Sequence, residues 1–254
     1  MAKNEPVLIT GASSGIGRAL ALLYAAPERV LLLAGRDAAR LESVAALCRE
    51  KGAAVETSAT AVTEREALAR QVRAWDDAYE IHTIIANAGI SGGMGKEGGE
   101  SDAQFYDIMS VNVDGVLNTV LPLLPRLKAR GRGHIVLMSS MAGFRGLPTA
   151  PAYSVSKNAV RAWGEALRPM LLKYGVHVST IHPGFIRTPL TDVNTFLMPL
   201  LMEVEDAAAR MKKGIDARKP VIAFPWQIAL FMELLNCLPR RVSDWIVAKG
   251  PDKP

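Results

Sequence analysis

Short apolar, β-rich runs alternate along this chain with longer stretches whose apolar positions recur at helical spacing. Val7–Thr10 reads as a strand and residues 16–26 as a helix; Val30–Ala34 is the next strand, followed by a helix over 37–51. A strand over 55–58, a helix over 63–79 and a strand over 81–86 continue the rhythm. The 81–86 run is apolar and β-branched, as expected for a strand buried on both faces. A long helix is expected over 102–129, bent or ended by Pro122 and Pro125. A strand over 133–139, a helix over 151–173 and a strand over 176–182 follow. Such alternation predicts an α/β fold: a doubly wound, Rossmann-type parallel sheet with helices on both faces and right-handed crossovers. No Ser- or Pro-rich linker divides the chain, so residues 1–254 are expected to form one domain.

Ligands of such sheets sit beyond the carboxyl ends of the strands. The first strand runs directly into Thr10-Gly11-Ala12-Ser13-Ser14-Gly15-Ile16-Gly17. Glycines here permit a tight turn and let the backbone approach a pyrophosphate, while the next helix offers N–H groups and a positive dipole end. The spacing is GxxxGxG rather than GxGxxG, and its place between strand and helix is what a dinucleotide site requires. The second strand ends Gly35-Arg36-Asp37. Gly35 stands where an acid would select NAD, and a guanidinium at Arg36 suits a 2′-phosphate. Asp37 reads as the cap of the next helix. NADP(H) is therefore expected in preference to NAD(H), which stays open.

Tyr153-Ser154-Val155-Ser156-Lys157 sets a phenol and an ammonium four residues apart, on one helix face if Pro151 opens the helix. A nearby ammonium, together with the positive nicotinamide of an oxidised cofactor, favours the phenolate, so the Tyr153 pKa is expected to fall and the pair to act as general acid or base near neutral pH. Alone, YxxxK is equally a half-buried Tyr beside a solvated Lys. Ser140, at the end of the strand thirteen residues upstream, brings a hydroxyl to the same rim. Asn112 is an amide within an apolar run and needs buried partners. Asn87-Ala88-Gly89 and Pro183-Gly184 close two further strands at that edge. The loop 91–99 holds five glycines and reads either as a surface loop or as a mobile edge of the site.

Composition narrows the classes. The chain has 254 residues, 49% hydrophobic and 22% charged, which suits one large domain with a sizeable core and excludes a disordered chain. The net charge of +5 is spread among acids, so a mildly basic surface is expected and no nucleic-acid partner. Cys48 and Cys237 read as buried thiols, and the four histidines show no metal-ligand spacing, so no metal is expected. Residues 6–9 begin the first strand with no apolar leader before them, and a reducing, cytoplasmic setting is expected.

Taken together, TGASSGIG, Asn87–Gly89, Asn112, Ser140, YSVSK and Pro183–Thr188 (PGFIRT) resemble the short-chain dehydrogenase/reductase family over roughly residues 5–190. The resemblance implies seven parallel strands in the order 3-2-1-4-5-6-7, with Val221–Phe224 as the seventh. It implies that Tyr153 exchanges a proton with the substrate oxygen, that Ser140 polarises that oxygen, and that Lys157 binds the nicotinamide ribose. Asn112 would hold a water linking Lys157 to solvent. Gly11, Ser13, Ser14, Gly15, Ile16 and Gly17 would cradle phosphates and adenosine, and Val62, Asn87, Ala88, Gly89, Pro183, Gly184, Ile186 and Thr188 would line the rest of the cofactor track. Ala61-Val62 departs from the family's Asp-Val and removes an adenine contact. The Gly-Gly ending of many tetrameric members is also missing, although a homodimer or homotetramer is expected.

The implied activity is hydride transfer between NADP(H) and a carbonyl or secondary alcohol, the small-molecule partner being a lipophilic or aromatic ketone or aldehyde. Epimerase or dehydratase chemistry, or non-catalytic NADP binding, are the alternatives. Residues 188–254 are expected to supply a substrate-covering segment, with Phe196–Met202 apolar and methionine-bearing, and C-terminal helices. The apolar stretch 221–238 contains Pro225, Gln227, Glu233 and Asn236, which argues against a transmembrane span. It is expected in the core or a subunit interface first, and next at a membrane surface with Arg240, Arg241 and Trp245 at the headgroups.

Overall fold

β1 (Val7–Thr10) is buried at every position, and its side chains divide between two cores. Val7 and Ile9 pack into one, Leu8 into the other, as the two-residue period of a strand requires. The same division recurs in β2 (Val30–Ala34), where Leu31 and Leu33 oppose Leu32. The computed structural model describes residues 5–92, 99–192, 194 and 197–248. The remaining strands are β3 (Ala54–Ser58), β4 (Thr83–Ala86), β5 (Gly133–Met138), β6 (Val176–Pro183) and β7 (Val221–Phe224). All pair in parallel in the order β3-β2-β1-β4-β5-β6-β7, the order the family resemblance implied.

On one face lie α1 (Gly15–Tyr24), α2 (Ala38–Glu50) and α8 (Val204–Asp216), contributing Leu20, Leu41 and Met211 to the first core. On the other lie α3 (Arg65–Tyr79), α5 (Gly115–Val120), α6 (Leu124–Arg130) and α7 (Pro151–Leu172), contributing Leu68, Val120, Leu127 and Val160. Asp37 caps α2 by accepting from the Arg40 N–H at 2.9 Å, as its position suggested. Pro151 opens α7, its missing N–H costing nothing at a first helical position.

Two boundaries differ from the sequence reading for physical reasons. The 81–86 strand begins at Thr83, because Pro6 offers β4 only a carbonyl, which both His82 and Thr83 N–H share at 3.1 Å. The long 102–129 helix carries a π-helical turn at Ser110–Asp114 between α4 (Asp102–Met109) and α5, and α6 follows. The break between α5 and α6 falls at residues 121–123, around Pro122. By length and composition Asp102–Arg130 could cross a membrane. Here it is divided, and Ile108, Asn112, Thr119 and Leu127 are buried in the domain. The 221–238 stretch is likewise divided, into β7 and α9 (Trp226–Cys237), with α10 (Arg240–Val247) beyond.

The strand order reverses between β1 and β4, which lie side by side in the middle of the sheet, and a crevice opens there at the strands' carboxyl ends.

Candidate functional site

Two cavities meet at the carboxyl edge of the sheet. The first, about 260 Å³, lies over the β1–α1 turn and is lined by Gly11, Ser13, Ser14, Gly15, Ile16, Arg36, Val62, Asn87, Ala88, Gly89, Tyr153, Lys157, Pro183 and Thr188. The second, about 670 Å³, contains Ser140, Tyr153, Pro183 and Gly184 together with apolar residues of the C-terminal part. Tyr153 belongs to both. Three of the expected residues reach neither: Gly17, Asn112 and Ile186. Most of the glycine loop 91–99, namely 93–98, and Phe196 lie outside the described residues.

The floor of the first cavity is glycine where a side chain would fill it. Gly11 has φ +66°, and a Cβ there would stand 2.9 Å from Ala88 Cα. Gly17 works from beneath: a Cβ would come within 2.2 Å of the Gly11 carbonyl oxygen, so only glycine lets α1 approach the turn. The start of α1, with Ser14 extended at its cap and no side-chain bond to it, faces this space. These features fit a dinucleotide's phosphates. Asn87 lines the cavity, but its amide is spent on the fold, donating to the Thr10 carbonyl at 2.9 Å. Thr10 Oγ1 in turn accepts from the Asn87 and Ala88 N–H groups, at 3.1 and 3.2 Å. Thr10 was legible only as the first letter of the glycine motif; its task is to pin the end of β4 to the end of β1.

At the adenosine end, Arg36 is exposed at the rim, and Arg40 joins it from the first turn of α2. Arg40 is paired with Asp37, its neighbour on the cap. Sequence reading missed Arg40, Thr60 and Thr63, which also line the cavity.

At the junction of the cavities, Ser140 caps the short helical turn Met141–Gly143 and accepts from the Ala142 N–H at 3.2 Å. Tyr153 and Lys157 project from the first turns of α7. Lys157 is buried, its Nζ donating to the Met138 carbonyl at 3.0 Å and lying 5.6 Å from the centre of the Tyr153 ring. Burial lowers its pKa to about 8. Burial dominates and raises Tyr153 above the ordinary phenol value, and the opposing influence is a hydrogen bond with Ser140. The ammonium is tied to Met138 and lies over the ring.

Asn112 sits in the π-helical turn and is fully buried. Its Oδ1 accepts from Ile90 N–H at 2.8 Å, while its Nδ2 donates to the Ile90 carbonyl at 2.9 Å and to Ser156 Oγ at 3.0 Å. Its side chain therefore clamps the segment after β4 to α7 and touches no cavity. Two partners were not anticipated. Ser139 Oγ donates to the Lys157 carbonyl at 2.8 Å, and Glu100 accepts from the Ala152 N–H at 2.7 Å, holding the start of α7 from a segment 52 residues earlier.

Among the described residues no charged side chain lines the second cavity. Its walls are Met141, Leu147, Leu190, Leu197, Ile228, Phe231, Met232, Leu235, Ile246 and Val247. The C-terminal helices are tied to the Ser140 segment by Asn236 Nδ2 donating to the Phe144 carbonyl at 3.0 Å and by an ion pair of Arg145 with Asp244. Among the described residues, no group of His, Cys, Asp and Glu could hold a metal ion.

A family model for short chain dehydrogenases matches residues 5–195. An uncharacterized oxidoreductase of Myxococcus xanthus is 38% identical over 244 residues, covering 93% of this chain and 94% of that protein. A putative oxidoreductase of Mycobacterium tuberculosis, SadH, is 37% identical over 73% of this chain and 68% of its own length. Among solved structures, a short-chain dehydrogenase from Sphingobium yanoikuyae in complex with NADPH superposes with a TM-score of 0.80 at 27% identity, covering 97% of this chain and 96% of that one. A short-chain dehydrogenase/reductase from Burkholderia phymatum in complex with NAD does so with 0.83 at 25%, covering 100% and 99%.

Proposed function

The chain belongs to the short-chain dehydrogenase family, and on that premise we propose that it reduces a neutral, lipophilic or aromatic ketone or aldehyde with NADPH. The observation that carries the reading is the place of Tyr153, shared between a glycine-floored polar cavity and a large apolar one.

The reduced nicotinamide supplies the hydride this chemistry needs. Gly11, Ser13, Ser14, Gly15 and Ile16 hold the phosphates, with Gly17 behind them allowing the close approach. Val62, Asn87, Ala88, Gly89, Pro183 and Thr188 wall the cavity, Gly184 continues the wall on the substrate side, and Ile186 supports it from the core. Arg36 takes the 2′-phosphate, and Arg40 adds a second cation at the same rim.

Tyr153 donates its hydroxyl proton to the carbonyl oxygen as the carbon accepts the hydride, giving the alcohol and a phenolate that must be reprotonated. Its raised pKa keeps the proton in place until that oxygen develops negative charge. Ser140, fixed by Ala142, hydrogen-bonds the same oxygen. Lys157, charged below about pH 8, stabilises the phenolate once it forms. Asn112 acts through Ser156 and is a positioning residue. The uncharged apolar cavity favours a neutral substrate, because a carboxylate or ammonium would lose its hydration there without a partner.

A panel of ketones and aldehydes followed by NADPH absorbance tests the reading. Tyr153→Phe is expected to lower turnover by about 10²–10⁴-fold while leaving cofactor binding intact. Unchanged turnover would remove the mechanism, and a clear preference for NADH would remove the NADP assignment.

A further inference from the structure

Helix α9 is apolar nearly all round, interrupted only by Gln227, Glu233 and Asn236, yet Leu235 is its one buried residue. Trp226 is 67% exposed, and Leu230, Phe231 and Leu234 are each about half exposed. Leu238, Val242 and Trp245 extend the patch onto α10. A contiguous apolar surface of this kind is costly in water and marks a contact.

Charge points to the occupant. Arg240 and Arg241 stand in the first turn of α10, where cations oppose the helix dipole, and they form no ion pair among the described residues. They do not serve the helix; they suit an anionic surface. The two carboxylates on these helices each have a cation of the domain beside them, Asp244 with Arg145 and Glu233 with Arg161 at 4.0 Å.

The patch also borders the opening of the apolar cavity. Leu190, Leu197 and Phe231 line that cavity and are 39%, 85% and 51% exposed. A second copy seated there would block the opening with packed protein. A fluid bilayer would cover the same surface and still deliver a dissolved molecule.

We propose that helices α9 and α10 rest on an anionic lipid bilayer and that the apolar cavity draws its substrate from that bilayer. The second half rests on the carbonyl-reduction reading; the first does not.

The test is sedimentation of the full chain with vesicles of phosphatidylcholine and phosphatidylglycerol, compared with phosphatidylcholine alone. The mixed vesicles are expected to carry the protein down and the neutral ones to do so more weakly. Replacing both arginines (Arg240→Gln with Arg241→Gln) is expected to weaken partitioning roughly thirtyfold, and Leu234→Asp to weaken it further. Neither change touches a residue lining a cavity, so both variants are expected to keep the wild-type thermal midpoint and turnover of cyclohexanone. Turnover of a long-chain methyl ketone dissolved in the vesicles is expected to fall with partitioning. Protein left in the supernatant with both vesicle types overturns the proposal. So does vesicle binding indifferent to all three substitutions, or a dimer split by Leu234→Asp without any lipid binding. Vesicle binding without turnover of any ketone supports the docking and removes the carbonyl reading instead.

Discussion

The Lys157 ammonium is a proton the fold works against. Its folded pKa, about 8, lies below the ordinary lysine value of 10.5, so the folded chain holds that proton less tightly than the unfolded one. The cost is fully present below about pH 8 and disappears as the pH rises from there through the unfolded value. Lys157→Met is therefore expected to raise stability at neutral pH by up to about 3 kcal/mol, measured by urea denaturation, while reduction is lost. Reduction by the wild type is expected to decline as the pH rises past about 8, because Lys157 loses its charge; a profile flat to pH 10 would remove its assigned role. At the adenosine rim, Arg36→Ala is expected to raise KM for NADPH by roughly tenfold or more and leave KM for NADH nearly unchanged. Tyr153, Lys157, Ser140 and Arg36 were legible because local spacing and strand ends suffice to place them. The burial that raises the Tyr153 pKa was not, since it depends on how deeply α7 sinks its first turns. Thr10 and Glu100 were hidden for a similar reason: each acts on a segment far away in sequence.

Among the elements, the π-helical turn at Ser110–Asp114 has the most local consequence. It sets Asn112 against Ile90 on one side and Ser156 on the other. Asn112→Leu keeps the bulk but strands the part-buried Ile90 N–H and carbonyl, and is expected to cost up to about 2–6 kcal/mol, at 1–3 kcal/mol for each group left without a partner. Thermal unfolding reads this directly, and a variant as stable as the wild type would show the clamp to be dispensable. Sequence periodicity foresaw a helix here and its disruption near Pro122, but not this turn, which follows from tertiary contacts with α7. The inner strands were more legible, because strands buried on both faces, such as β1, β4 and β5, must be apolar whatever packs on them. The C-terminal helices were least legible. Their apolar residues carry no period separating a cavity wall from an outer surface, and α9 presents both.

For the whole molecule, buried histidines set the acid limit. His134 bonds Ser179 Oγ beneath the sheet, and burial lowers its pKa to about 3; His182 bonds Thr180 beside the Ser140 segment and falls to about 4. Both lie below the ordinary value of 6.5, so the unfolded chain binds these protons first. Their neutral forms stabilise the fold above pH 6.5, and that stability drains away as the pH falls toward 4. At about 1.4 kcal/mol per pH unit for each, the pair is expected to cost roughly 4 kcal/mol between pH 6.5 and 5. Urea midpoints at the two values, compared with those of His134→Gln, check this: the variant should lose about 2 kcal/mol of that pH dependence.

The reactive groups are held by the sheet and by α7, whereas much of the apolar wall facing them comes from residues after Pro183. Preference and reactivity can thus drift separately. A chimera carrying the tail of a relative from residue 190 onward is expected to inherit that relative's choice of molecule while keeping its own proton donor. A lineage could change its diet this way without reinventing its chemistry.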